Sequence, residues 1–248
     1  MINLEIPKNH PRYQSLKQRE RLLEFYEKGV VTVSGLISHG RGEAFDYILG
    51  ETSTEFAIIA EMAAFAKILE SKNPVISVNG NVTALADEEI VAFSKKYNIK
   101  VEANIFYWSE DRINKIVDHF SNLGLNVLGR KQDERIPGLM HDRGRCEKDG
   151  IFSADTVLIP LEDGDRAEAL KKMGKFIITI DLNPLSRTSI YGDISIVDDV
   201  RRAFHNFNNF SLKESKKALD NFNNHSNLEN IKKYIGEKMN TMTVWPEI

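Results

Sequence analysis

The chain begins with helical spacing and then changes period. Over residues 11–28, Leu16, Leu22, Leu23 and Phe25 form one apolar face, with Lys17, Arg19 and Arg21 elsewhere, which predicts a helix. Over residues 53–71, Phe56, Ile59, Ala60, Ala63, Ala64 and Ile68 recur at the same spacing, and the many alanines predict close packing. From Pro74 the apolar run is short, continuous and β-branched. Pro74-Val75-Ile76-Ser77-Val78 predicts a strand, Asn79-Gly80-Asn81 a turn, and residues 82–97 a helix. The unit recurs. Strands are expected at residues 100–106, 125–128, 155–159, 176–180 and 194–197, with helices over 109–123, 165–173 and from about 199 onward.

Continuous apolar strands alternating with helices call for a parallel sheet covered on both faces. The expected fold is α/β, a Rossmann-like, doubly wound and mainly parallel sheet over residues 73–204. Residues 1–72 would be an N-terminal helical extension packed on that sheet, and 205–248 a peripheral helical tail, all within one domain spanning 1–248. Asn-Phe-Asn-Asn occurs at 206–209 and again at 221–224, and is read as compositional drift on exposed helices.

Composition narrows the function classes. A chain of 248 residues buries a self-sufficient core, and 42% hydrophobic with 28% charged residues is ordinary globular composition. A net charge of −3 gives no basic field to collect nucleic acid, so any anion site must be built locally. The single cysteine, Cys146, excludes an internal disulfide and a multi-cysteine zinc site, and no base stands beside it in sequence to make it a nucleophile. No apolar run reaches the roughly 20 residues that span a bilayer, and the charged N-terminus lacks a signal core. No membrane partner is expected, and the localisation read from this is cytoplasmic.

In an open parallel sheet, ligands bind beyond the carboxyl ends of the strands. Four predicted strand exits are polar. They are Asn79-Gly80-Asn81, then Glu162-Asp163-Gly164-Asp165-Arg166, then Asp181-Leu182-Asn183-Pro184-Leu185-Ser186-Arg187-Thr188, and Asp198-Asp199. The first is a helix cap or a backbone cradle for phosphate. The second is a capped helix start, or a magnesium site in which Glu162 and Asp165 supply carboxylates. In the third, Asn183 caps or reads a purine edge, Arg187 offers a planar fork for phosphate, and Thr188 a hydroxyl. Upstream, Gly35-Leu36-Ile37-Ser38-His39-Gly40-Arg41-Gly42-Glu43 is either an irregular connection between helices or a loop whose glycines admit a ligand, with Arg41 as anion donor. Its spacing matches neither Gly-x-x-x-x-Gly-Lys-Ser/Thr nor Gly-x-Gly-x-x-Gly. His141-Asp142-Arg143-Gly144-Arg145 is a basic loop, either over the site or in solvent.

These strings together resemble the archaeal phosphopantothenate synthetases, the 4-phosphopantoate–beta-alanine ligases. The likeness runs to about residue 240. It is carried by His10-Pro11-Arg12-Tyr13 with Arg19, by Gly35-Leu36 with His39 to Tyr47, by Val78 to Asn81, by Ile136-Pro137-Gly138-Leu139, by Pro160 to Arg166 and by Asp181 to Thr188. The resemblance implies a Rossmann-like homodimer that activates 4-phosphopantoate with ATP as an acyl adenylate. The amine of beta-alanine then attacks, giving 4′-phosphopantothenate and AMP on the way to coenzyme A. Carried over by motif, ATP would meet Arg19, Arg41, Asp181, Leu182, Asn183, Arg187, Thr188, Asp199 and Val200. Asp199 departs from the family's usual Asn, keeping an acceptor and losing a donor. Asn79, Gly80, Asn81, His141 and Arg143 are candidates for the pantoyl and phosphate groups. His39 or Asp163 would take the proton from beta-alanine. The chemistry fits, because adenylation gathers three anions whose repulsion Arg, Mg²⁺ and backbone donors must offset. A phosphotransferase releasing ADP and a non-catalytic nucleotide sensor remain the competing readings.

Overall fold

The computed structural model describes residues 6–10 and 12–241. Pro11, the first residue of the predicted 11–28 helix, lies outside the described residues, as do 1–5 and 242–248. Three helices come first: α1 (Tyr13–Glu27), α2 (Val33–Leu49) and α3 (Glu55–Glu70). Then follow β1 (Pro74–Val78), α4 (Gly80–Tyr97), β2 (Lys100–Ala103) and α5 (Glu110–Asn122). A small hairpin pairs β3 (Glu134–Arg135) with β4 (Arg145–Cys146), with a 3-10 turn at Asp142–Gly144 between them and a π-type turn at Lys148–Phe152 after. Next come β5 (Thr156–Pro160), α6 (Gly164–Lys172), β6 (Phe176–Ile180), α7 (Arg187–Tyr191) and β7 (Ile194–Ile196). Helices α8 (Val200–Asn209), α9 (Leu212–Asp220) and α10 (Asn224–Thr241) close the chain.

The main sheet has the order β2-β1-β5-β6-β7, with every pairing parallel. Counting only these five strands, this is the doubly wound order 2-1-3-4-5, and its direction reverses between β1 and β5. Alternate strand residues face opposite layers, as the pleat requires. Ile76, Val78, Leu158, Ile178 and Ile180 join one core with Phe25 of α1, Ala60, Ala64 and Phe65 of α3, Phe93 of α4 and Phe204 of α8. Val75, Val157, Ile159 and Ile177 join the other with Ala167 and Leu170 of α6 and with Ile136, Cys146 and Ile151. Both faces are therefore covered, as the unbroken apolar strands predict. Among the described residues no helix is long and apolar enough to cross a membrane.

Three expectations are corrected. Residues 125–128 are not a strand. Only Leu128 bridges Glu102, and the chain then turns away at Gly129 (φ 134°), where a Cβ would lie 2.7 Å from the Ala103 carbonyl oxygen. The glycine-rich segment at 35–43 is not a loop but the middle of α2. Thr32 caps its start by accepting from the Gly35 N–H at 3.2 Å, and Gly50 ends it in the left-handed region. Glycine disfavours a helix, but packing decides here: a Cβ on Gly35 would stand 2.3 Å from Asn81 Oδ1. The asparagines of the tail are not surface filler. Asn206 donates to Glu61 Oε2 at 2.8 Å. Asn224 donates to the Gly192 carbonyl at 2.9 Å and accepts from the Ser195 N–H at 2.7 Å, fastening α10 beside β7. Cys146 is buried and its thiol is pushed up to about 12 by burial, so it is no nucleophile.

Candidate active site

A cleft of about 1000 Å³ opens at the carboxyl ends of the strands. All five strand exits contribute to it, and α2 forms the facing wall. The cleft is at the upper end of the usual size for small-molecule sites.

Helix α2 supplies His39, Arg41 and Glu43 to that wall. His39 Nε2 is buried without a hydrogen-bond partner among the described residues. Burial lowers its pKa below the ordinary value, against the pull of the Glu43 and Asp199 carboxylates, so the ring is neutral at neutral pH. Arg41 is held only by Ser38, at 3.1 Å. Arg19 does not line the cleft. It clamps Glu43 at 2.7 Å while Arg12 takes the other carboxylate oxygen at 3.0 Å. Both arginines thus reach the cleft's rim from within the same chain.

The first exit is structural in its side chains and open in its backbone. Asn79 caps α4 by accepting from the Val82 N–H at 3.1 Å and donates to the Leu161 carbonyl at 2.9 Å, across the β1/β5 switch point. Asn81 donates to the Gly35 carbonyl at 2.8 Å. Gly80 abuts Val30, whose carbonyl oxygen would be 2.4 Å from a Cβ there.

At the second exit, the loop ahead of β4 folds inward. Arg143 is 93% buried, stacks 3.9 Å over the Phe106 ring, and pairs with Asp163 at 2.9 Å and Asp165 at 2.7 Å. Glu162 pairs with the fully buried Arg166. His141 stays outside, half exposed and 3.8 Å from Asp165. The donor set therefore does not fit a protein-held magnesium ion. Glu162 and Asp165 are both spent on arginines, and no group of three or more metal-ligating side chains occurs among the described residues. Asp163 is engaged by Arg143 through one oxygen, while its side chain stays largely exposed.

The third and fourth exits are tightly turned. Asp181 accepts from the Asn183 N–H at 3.0 Å, and its carboxyl is pushed up by burial while Arg41 pulls it back. Asn183 Oδ1 accepts from the Leu185 N–H at 2.9 Å, leaving its amide nitrogen outside the turn. Leu182 packs with Leu49, Val197, Leu228 and Ile231, whereas Leu185 is exposed. Thr188 donates to the Glu162 carbonyl at 2.6 Å, and Arg187 reaches Glu168 at 3.2 Å. Asp199 caps α8, accepting from Arg201 and Arg202 N–H groups, and takes Gln18 Nε2 at 3.0 Å on its second oxygen. Both oxygens act as acceptors, which a carboxylate supplies; an asparagine, with one oxygen, could make the cap but could not also accept from Gln18 Nε2.

A Cβ on Gly164 would lie 2.2 Å from the Cβ of Arg187. Gly164→Ala should therefore force α6 from α7 and cost about 1–3 kcal/mol by overpacking. Thermal melting checks this; an unchanged midpoint would show that the two helices yield freely.

The family model for phosphopantothenate/pantothenate synthetase matches residues 56–238. The chain belongs to this family. The chain is 52% identical over 203 residues to a 4-phosphopantoate–beta-alanine ligase of Thermococcus onnurineus, covering 81% of this chain and 78% of that one. It is 48% identical over 214 residues to the enzyme of the same name from Methanosarcina mazei, covering 86% and 84%. Of the residues the family resemblance assigns to ATP, the fold brings Arg41, Asp181, Leu182, Asn183, Arg187, Thr188, Asp199 and Val200 to one cleft, with Arg19 behind Glu43. Gln18, Ile105, Phe106, Tyr107 and Arg112 line the same cleft without having been singled out. The last four belong to the fifth strand exit: β2 ends at Ala103 rather than at the expected 106, so Ile105 and Phe106 leave the sheet for the cleft.

Proposed function

We propose that the protein is an ATP-dependent ligase joining 4-phosphopantoate to beta-alanine. The observation that carries this is the cleft itself: one cavity that faces all five strand exits, in a chain about half identical to ligases of that name. ATP is the activating substrate. The carboxylate of 4-phosphopantoate displaces pyrophosphate from its α-phosphorus, forming the acyl adenylate. The amine of beta-alanine then attacks the acyl carbon and AMP leaves. Arg41 and Arg187 offset the charge of the phosphates, and the turned loop at Asp181–Asn183 holds the nucleoside. His39, neutral and without a partner, takes the proton from the ammonium of beta-alanine, since only the free amine is a nucleophile. Magnesium arrives with the nucleotide's own phosphates.

We also read the whole chain as one folding unit and the assembly as a homodimer, so sedimentation should give twice the 28.2 kDa chain mass. The test of the reaction is incubation of the chain with ATP, Mg²⁺, 4-phosphopantoate and beta-alanine. The expected nucleotide product is AMP, dependent on both co-substrates. ADP would instead mark a phosphotransferase, and absence of turnover a sensor.

A further inference from the structure

We propose that Arg112, beside the start of α4, forms the subsite that takes the phosphate monoester of the acid substrate. The inference rests on the ligase reading above and adds the residue that recognises the acid.

The sheet order sets the geography of the cleft. The exit of β2 lies at one end and those of β6 and β7 at the other, about 14 and 19 Å away for three and four strand spacings. Four arginines line the cleft. Arg143 is matched by Asp163 and Asp165, and Arg187 by Glu168. Among the described residues, Arg41 and Arg112 have no carboxylate partner. They sit toward opposite ends. Arg41 acts on Asp181, at the exit of β6. Arg112 follows the exit of β2.

Arg112 is built in rather than loose. Its Nη1 donates to the Tyr107 carbonyl at 2.5 Å and its Nη2 to the Val30 carbonyl at 3.0 Å. These two carbonyls fix the plane of the fork. Its Nε is buried with no partner. A half-buried guanidinium without a counter-charge carries part of the cost of desolvation, and burial alone lowers its pKa. An arriving anion removes that cost.

Val30, which Arg112 grips, is the residue that Gly80 abuts, so the guanidinium is tied through one carbonyl to the turn that follows β1. A planar fork held at this exit matches phosphate oxygens. Two unmatched guanidiniums at separate ends of one cleft correspond to two anionic substrates, the nucleotide and a phosphorylated acid.

The test compares 4-phosphopantoate with unphosphorylated pantoate in the intact chain and in Arg112→Met. Charge-assisted hydrogen bonds of this type translate into roughly 10- to 100-fold. The expected result is a loss of that size in kcat/KM for 4-phosphopantoate. The value for pantoate should stay within about threefold, with the KM values of ATP and beta-alanine unchanged. Calorimetric titration of 4-phosphopantoate in the absence of ATP should show the same weakening. Arg112→Gln keeps a donor for one carbonyl without the charge; it should behave as Arg112→Met does, and it serves if that variant fails to fold. Equal losses for both acids would make Arg112 a purely structural tie and overturn the subsite. So would a selective rise in the KM of beta-alanine, which would assign Arg112 to that substrate's carboxylate. An intact chain that ligates neither acid refutes the ligase reading, and the titration then decides the subsite by itself.

Discussion

His39→Ala should lower kcat for 4′-phosphopantothenate formation by about 10²- to 10⁴-fold, the usual range for loss of a positioned base. The loss should fall on one half-reaction. Exchange of pyrophosphate into ATP, driven by 4-phosphopantoate alone, requires no deprotonated amine and should survive within a few-fold. The pH profile makes the same point with a definite sign. Burial lowers the pKa of His39 below 6.5, so the neutral ring persists to lower pH than in an ordinary histidine. The acid limb of the intact chain should therefore fall below pH 6.5. It should vanish in the variant. Asp163→Ala, by contrast, removes one of two carboxylates from Arg143 and should loosen the cleft without removing that limb. If both half-reactions fall together in His39→Ala, or if turnover stays normal across pH, His39 is not the base.

The parts of this fold that were legible in the sequence are those where local pattern and tertiary role coincide. Residues 176–180 read as a strand because Phe176 to Ile180 is apolar on both faces, and both faces are in fact covered. The strand exits were legible for the same reason: polar runs interrupt apolar ones where the chain leaves the core. Helix α2 was not legible. Gly35, Gly40 and Gly42 contradict helix propensity, and the reason for Gly35 is Asn81, 46 residues away. Ion-pair partners were hidden in the same way. Glu162 and Asp165 looked like ligands for magnesium because their arginine partners are not evident from the local sequence. Arg143 arrives from a loop about 20 residues upstream, and Arg166 reaches inward to Glu162 and to Ser77 of β1. Arg112 carries no local mark within the predicted 109–123 helix; only the three-dimensional absence of a carboxylate partner distinguishes it.

Arg202→Met should be among the most destabilising single changes in the chain. The guanidinium binds Asp46 through both carboxylate oxygens, at 2.5 and 3.1 Å, and Asp198 at 2.6 Å. Asp198 is 1% exposed and Asp46 7%. Removing the cation leaves two buried carboxylates unmatched, which costs about 3–5 kcal/mol. In a chain of this length that is roughly 6–20 °C in melting temperature. The pair also spans the cleft's support. Asp46 lies on α2 with His39, Arg41 and Glu43, and Asp198 precedes the cap Asp199, so surviving enzyme should show a raised KM for ATP.

The third carboxyl of this cluster, Glu61, behaves in the opposite sense. It is fully buried, and burial together with the Asp198 charge raises its pKa well above 4.5, so it keeps its proton to higher pH than an ordinary glutamate. Its Oε2 accepts from Asn206 at 2.8 Å, and its Oε1 has no donor among the described residues. A raised carboxyl contributes stability that is complete below the unfolded value and lost as pH rises through the folded one. Glu61→Gln keeps the shape and the Asn206 contact but has no proton to lose. Its melting temperature should match the native chain at and below pH 4.5 and exceed it increasingly as pH rises above that. Scanning calorimetry across that range reads the difference directly. A difference that does not grow with pH would mean that Glu61 is ionised in the native chain, with Arg202 carrying three carboxylates rather than two.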